Sequence, residues 1–407
     1  MPGPLSHIRV LDLSRVLAGP WASQCLADLG ADVIKIERPG QGDDTRSWGP
    51  PFLKTPSGET GDAAYFAATN RGKLSVAIDM AQGQGQALIR RLAAQCDVVI
   101  ENFKVGGLKK YALDYASLEP LNPRLVYCSI TGFGQTGPYA QRAGYDFMIQ
   151  GMGGIMSVTG QPDGMPGAEP MKCGVAFADI FTGLYATIGI TAALNHRDRT
   201  GLGQYIDMAL LDCQVAVLAN QALNYLVSGH APGRLGNAHP NIVPYQTYAT
   251  ADGHIIIAVG NDRQFKELCR IAGVHGLAAD PRFTTNRTRV ANREALVPIL
   301  GEAIALRTTS EWTAALEAAG VPCGPINTID QVFADEHVKA RQVRIDLERP
   351  DGTAVPGVAN PIRLSRSAIE YSRPAPALGA DTDQVLARLL KLPPEEIRLL
   401  RESGAIA

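Results

Sequence analysis

The chain lacks an excess of charge of either sign: 38 Lys and Arg stand against 40 Asp and Glu in 407 residues. That balance gives no basic surface for nucleic acid and no polybasic membrane patch. No run of 18 consecutive apolar residues occurs, so a membrane span is not expected. The start MPGPLSHIRVLDLS has neither a charged segment leading an apolar one nor an Arg-rich amphipathic pattern, so the chain is expected to be cytoplasmic. Seven cysteines (Cys25, Cys96, Cys128, Cys173, Cys213, Cys269, Cys323) form no C-x-x-C pair. They read as small buried hydrophobes in a reducing compartment, with no disulfide frame and no metal site. Also missing are G-x-G-x-x-G after the first strand and any G-x-x-x-x-G-K-[ST]. A nicotinamide cofactor and nucleoside triphosphate chemistry are therefore poorly supported, and no permanently bound cofactor is expected.

What is present is strand–helix alternation. His7–Leu13, Asp32–Glu37, Leu74–Ile78, Asp97–Glu101, Leu125–Ile130 and Gln204–Leu210 read as buried strands. Ala18–Leu29 and Gln84–Gln95 carry helical spacing. The pattern predicts an α/β fold: a large open, doubly wound parallel sheet with helices on both faces, binding ligands at the carboxyl ends of its strands. At this length a second domain is expected. Residues 1–212 are assigned to the large domain, 213–232 to a linker that includes a helix from Gln214 to Ser228, and 233–325 to a smaller α+β domain. That domain opens on a hairpin turning at Asp252-Gly253. A second linker covers 326–345, and 346–407 returns to the large domain.

Asp179 stands out among the titratable residues. It follows small apolar residues and opens a long helix in GVAFADIFTGLYATIGITAALNHRDRTGLGQYIDMALLD. Free backbone N–H groups and the positive end of the helix dipole favour an ionised acid there, and apolar walls limit its hydration, which suits a nucleophile. Aspartate is also a preferred helix cap, and that reading needs no chemistry. Cations near strand exits are candidates to hold phosphates: Arg38 after the second strand, Lys104 and Lys110 after the fourth, and Arg46, Arg71, Lys73 and Arg142 besides. Each of these also reads as a solvated surface charge. Asp12 and Glu37 close strands and are assigned to fold-stabilising contacts. Backbone N–H groups near Gly132, Gly134 and Gly151–Gly154 are candidate donors to an oxyanion.

Several long blocks carry a resemblance. VLDLSRVLAGPWASQCLADLGADVIKIERPGQGDDTRSWGPP, CSITGFGQTGPYAQRAGYDFMIQGMGG, GNAHPNIVPYQTYATADGHIIIAVGNDRQF and GVPCGPIN occur in that order. Together they resemble the class III coenzyme A transferases, a family that also holds the α-methylacyl-CoA racemases. The resemblance implies a Rossmann-like CoA-binding domain, an interlocked homodimer, and Asp179 as the catalytic acid. It implies that Leu17, Ala18, Arg38, Asn102, Phe103, Lys104 and Lys110 bind coenzyme A, with Lys110 replacing an arginine and Ala81 a basic residue. Tyr145 and Asp146 would flank the thioester. Asn237 and His239 occupy a loop that in a relative is a mobile glycine run, and they are assigned to the acceptor carboxylate.

Racemases of the family carry a histidine where Tyr145 stands. Proton exchange at the α-carbon needs two groups with poised pKa values, and phenols ionise only at about pH 10. The expectation is transfer of CoA from an acyl-CoA, succinyl-CoA by resemblance to the succinate–hydroxymethylglutarate (glutarate) branch. The acceptor would be a dicarboxylate such as itaconate, glutarate, citramalate or hydroxymethylglutarate, passing through an aspartyl-CoA thioester. A 2-methylacyl-CoA racemase and a non-catalytic CoA-binding protein are the alternatives.

Overall fold

A computed structural model describes residues 3–407. They fall into two compact units: residues 3–155, 173–222 and 339–407 in the first, and 156–172 with 223–338 in the second. The sequence had placed 156–172 in the large domain. The chain instead leaves the first unit after Ile155 and returns at Cys173.

Six parallel strands organise the first unit: β1 (Arg9–Asp12), β2 (Asp32–Glu37), β3 (Lys73–Ala77), β4 (Val98–Glu101), β5 (Val126–Thr131) and β6 (Gln204–Ala209). Their spatial order is β3-β2-β1-β4-β5-β6, so the winding reverses between β1 and β4. Successive side chains point to opposite faces, and both faces are covered. Val10, Val33, Val98, Ile100 and Val126 pack in one core with Ala22 and Leu26 of α1 (Ala18–Asp28). Leu11, Ile34, Val76 and Val99 pack in the other with Leu88, Ile89 and Leu92 of α2 (Gly83–Ala93). Each such side chain contributes about 1.5–3 kcal/mol on burial. This is why the strands read as short runs dominated by Val, Ile and Leu. The C-terminal residues join the second core through Val385, Leu386, Leu389, Ile397 and Leu400.

Two further helices matter for the site: α3 (Asp146–Met152) and α4 (Phe177–Thr200). With a mean hydropathy of 1.5, α4 is long and apolar enough to cross a membrane. It is a core helix nonetheless, burying Ala178, Ala186, Ile190, Ala193 and Leu194 in the core of α1 and the sheet. Gly183 lets the two helices approach: a Cβ there would lie 2.7 Å from the Ala18 carbonyl oxygen and about as near Trp21. The helix expected from Gln214 to Ser228 is two, α5 (Leu210–Ala216) and α6 (Asn220–Ser228). Between them Ala219 adopts φ 46°, a left-handed conformation that no helix continues through.

The second unit holds an antiparallel sheet of β7 (Tyr245–Ala249), β8 (His254–Ala258) and β9 (Cys323–Pro325), in the order β9-β8-β7. The expected turn closes with Thr250 donating to the Gly253 carbonyl at 3.0 Å. Helices Asp262–Ile271, Arg293–Ile304 and Thr309–Ala318 share a core with the sheet around Trp312, Phe265 and Phe283.

Candidate active site

β1 and β4 pair as neighbours and the chain winds away from them in opposite directions, the switch point at whose carboxyl ends doubly wound sheets have the crevice that takes ligands. The loop after β1 supplies one wall. Val16 sits at φ 71°, which a β-branched residue rarely adopts, and its N–H donates to Asp43 at 3.2 Å. Two fully buried ion pairs lie under this loop. Lys73 Nζ meets Asp12 at 3.0 Å, and Lys35 Nζ meets Asp43 at 2.9 Å while donating to the Ser14 carbonyl at 2.8 Å. Burial opposes the charge on Asp12, but Lys73, Lys35 and the hydroxyls of Ser14 and Ser23 outweigh it and hold the carboxyl well below its usual range. Burial also pushes Lys73 down to about 8, against the pull of Asp12.

The crevice gathers most of the expected coenzyme residues. Leu17 and Ala18 are buried at the start of α1, whose N-cap residue, Leu17, offers no side-chain acceptor. The first-turn N–H groups of such a helix have no intrahelical partner. Across from them, Asn102 is locked to the same loop: Arg15 N–H donates to its Oδ1 at 2.9 Å, and its Nδ2 donates to the Arg15 carbonyl at 2.6 Å. Phe103 lies under the Arg15 guanidinium at 5.6 Å. Lys104 is exposed beside it. Arg38 is exposed at the end of β2, bonded to Gln41 at 2.9 Å, and Lys110 lies over the Tyr111 ring. Arg142 follows β5 and stacks on Tyr139 and Phe133, 4.5 and 5.2 Å from their rings.

Three cations are not available. Arg46 pairs with Glu37 at 2.6 Å and Asp62 at 2.9 Å, Arg71 grips Asp28 through two bonds, and Lys73 holds Asp12. They neutralise acids of the fold, so their proposed phosphate role is withdrawn. The expected glycine donors are likewise engaged: Gly134 N–H bonds Thr131 Oγ1, Gly153 the Ile149 carbonyl and Gly154 the Gly151 carbonyl. Gly132 and Gly144 serve close packing: a Cβ on Gly132 would lie 2.5 Å from the Gly144 Cα, and one on Gly144 2.4 Å from the Gly132 Cα. Sequence reasoning missed Arg15, which follows β1 directly and is half-committed to Asp44.

Asp179 is the third residue of α4, and it does not cap the helix. The capping acid is Asp146, 33 residues earlier, at the start of α3. Its Oδ1 accepts the N–H of Ala178 at 2.8 Å and of Asp179 at 3.3 Å. Its Oδ2 accepts Gln150 Nε2 at 2.7 Å. The dipole end expected to keep Asp179 ionised is thus occupied by another carboxylate. Burial, and then the neighbouring Asp146, raise the Asp179 carboxyl to about 7, although part of the residue reaches solvent. No donor reaches its oxygens among the described residues. Nearby stands Tyr65, also missed from sequence: burial, then Asp179, Asp146 and Asp43 raise its phenol above the ordinary value. Tyr145 is 67% exposed at the N-cap of α3.

Glu101 ends β4 beside this crevice. It accepts the Phe103 N–H at 2.8 Å, and burial raises it to about 7. Asn237 and His239 belong to the second unit. Asn237 is exposed. His239 is tied down: its N–H donates to Tyr245 at 2.9 Å, its Nδ1 accepts Asn241 N–H at 3.1 Å, and Arg293 donates to its carbonyl. Partial burial and Arg293 lower its pKa, which keeps it neutral at pH 7. The seven cysteines are free thiols.

Residues 5–382 match the model of CoA-transferase family III. The chain is 58% identical over 386 residues to a succinate–glutarate CoA-transferase of Agrobacterium fabrum, covering 95% of this chain and 96% of that one. It is 43% identical over 405 residues to a succinyl-CoA:glutarate CoA-transferase of Mus musculus, covering 99% and 90%. A crystal structure of a CAIB/BAIF family protein from Brucella suis superposes with a TM-score of 0.84 at 56% identity, covering 96% of this chain and 100% of that one. The chain belongs to CoA-transferase family III, whose substrates are coenzyme A thioesters.

Proposed function

From that membership we propose that the protein moves coenzyme A from succinyl-CoA to a dicarboxylate, glutarate foremost, with Asp179 as nucleophile. One observation carries the proposal: a carboxyl on the first turn of α4, desolvated and without a hydrogen-bond donor, beside the β1/β4 crevice of the same unit. The names of the Agrobacterium and mouse relatives support the donor and acceptor.

The chemistry balances without an external proton or electron. An Asp179 oxygen attacks the thioester carbonyl, the C–S bond breaks, and the thiolate leaves a mixed anhydride. The thiolate then attacks the Asp179 carbonyl carbon, releasing succinate and forming an aspartyl-CoA thioester. A carboxylate oxygen of the acceptor attacks that carbonyl, expels the thiolate and makes a second anhydride. Attack of the thiolate on the acceptor's carbonyl gives the new acyl-CoA and frees Asp179. Leu17, Ala18, Asn102, Phe103 and Lys104 hold the pantetheine arm, and Arg38, Lys110 and Arg142 meet phosphates. Both anhydrides hydrolyse readily, so water has to be excluded. Tyr145 and Tyr65 line the acyl group.

The working form is a homodimer, and the free thiols suit the cytoplasm. Leu184, Tyr185 and Ile188 on one side of α4 and Val215 on α5 are exposed, with Ile188 at 63%. An apolar surface of that kind on a core helix calls for a partner. The test offers succinyl-CoA with single carboxylic acids (glutarate, itaconate, citramalate, hydroxymethylglutarate, acetate) and identifies the CoA esters by mass spectrometry. Glutaryl-CoA should form fastest. Turnover without any acceptor, with solvent deuterium entering a 2-methylacyl-CoA, would replace transfer by racemisation.

A further inference from the structure

Gln150 lies on α3 one turn after Asp146, and it is fully buried. Such a carboxamide has to find partners for both ends. It finds them on two segments. Nε2 donates to Asp146 Oδ2 at 2.7 Å and to the Val175 carbonyl at 3.3 Å, and Oε1 accepts the Cys173 N–H at 2.8 Å. Cys173 is where the chain re-enters the first unit, and four residues later α4 begins. The same side chain therefore fixes the acid that caps α4 and the strand of backbone that feeds it.

We infer that Gln150 is a positioning residue for the transfer reaction. By holding Asp146 on the N–H groups of Ala178 and Asp179 and clamping residues 173–175, it sets the direction in which the Asp179 carboxyl faces the thioester. This rests on Asp179 being the nucleophile. Nothing in the geometry gives Gln150 a contact with substrate: all of its polar atoms are taken by protein. The titratable groups around the clamp are Asp146 on α3, Asp179 on α4, Cys173 on the returning segment and Tyr65 across from both acids. Leucine at position 150 keeps the volume and removes three bonds. Glutamate keeps an acceptor for Cys173 but turns an oxygen toward Asp146, bringing a third acid beside Asp179.

The test compares Gln150→Leu, Gln150→Glu and Asp179→Ala in the full chain with succinyl-CoA and glutarate. It measures kcat, KM for succinyl-CoA, the pH profile and the melting transition. A nucleophile displaced by about 1 Å loses on the order of 10²-fold. The expected result for Gln150→Leu is a loss of that order in kcat, with KM for succinyl-CoA changed by less than about threefold. Gln150→Glu should move the rising limb of the pH profile to higher pH, which a merely structural residue would not do. If the leucine variant does not fold, that limb in the glutamate variant decides. Unchanged kcat and pH profile in folded variants, or a loss confined to KM, would overturn the inference. Activity surviving in Asp179→Ala would instead remove the nucleophile on which it rests.

Discussion

At the scale of single residues, the pH behaviour of Asp179 follows from its surroundings. A carboxyl raised to about 7 by burial and by Asp146 is only part ionised at neutral pH, and the ionised form is the proposed nucleophile. Trapping of the acyl-enzyme with hydroxylamine should therefore accelerate as pH rises through about 7. In Asp146→Asn, which removes the neighbouring charge, that limb should move to lower pH. The linkage to stability runs the other way. The folded state binds a proton that the unfolded chain has already lost between the ordinary carboxyl range and about 7, so stability falls as pH rises across that window. Asp179→Asn should accordingly melt higher than the parent at pH 8, while urea denaturation at pH 4 should show little difference. Equal melting at pH 8 would mean that the carboxyl is not desolvated.

At the scale of elements, the buried pairs under the β1 loop are structural. Removing the ammonium in Lys73→Ala deprives Asp12, a carboxylate wholly shielded from solvent, of its closest cation. Loss of one partner of a buried pair costs about 3–5 kcal/mol, which urea unfolding would read directly. Gly183→Ala should separate α4 from α1, because the new methyl meets the Ala18 carbonyl. Overpacking of that kind costs about 1–3 kcal/mol, and it should lower kcat as well, since Asp179 lies one turn earlier on α4. The strands of the central sheet were legible in the sequence because burial on both faces leaves short runs rich in β-branched residues, such as DVIKIE, in which the one interior charge, Lys35, is itself buried and paired. The ribbon Phe52–Lys54 with Thr60–Ala63 and the hairpin Arg344–Glu348 with Ala354–Val358 were not, being short and mostly exposed, without a common apolar pattern. Asp179 was legible as the acid of the helix, whereas its capping by Asp146 depends on a contact across 33 positions that no local pattern encodes. Arg46, Arg71 and Lys73 failed for the same reason: a cation in a polar stretch looks solvated until its distant acid is located.

At the scale of the whole molecule, the winding reversal between β1 and β4 places the turn of Ser14–Ala18 against that of Asn102–Lys104, and the proposed function puts coenzyme A there. The apolar side of α4 predicts a dimer in solution. Ile188→Glu, which puts a charge in that surface, should shift the species seen by sedimentation toward the monomer, with loss of activity if the site depends on the partner. The covalent role of Asp179 is tested most directly by isotope transfer. Glutarate carrying heavy oxygen in its carboxylates, turned over with succinyl-CoA, should leave one labelled oxygen in the Asp179 side chain after the first turnover and up to two after many, found by mass spectrometry of its peptide. Succinate released in later turnovers should then carry the label. Full turnover with an unlabelled Asp179 and unlabelled succinate would contradict the account.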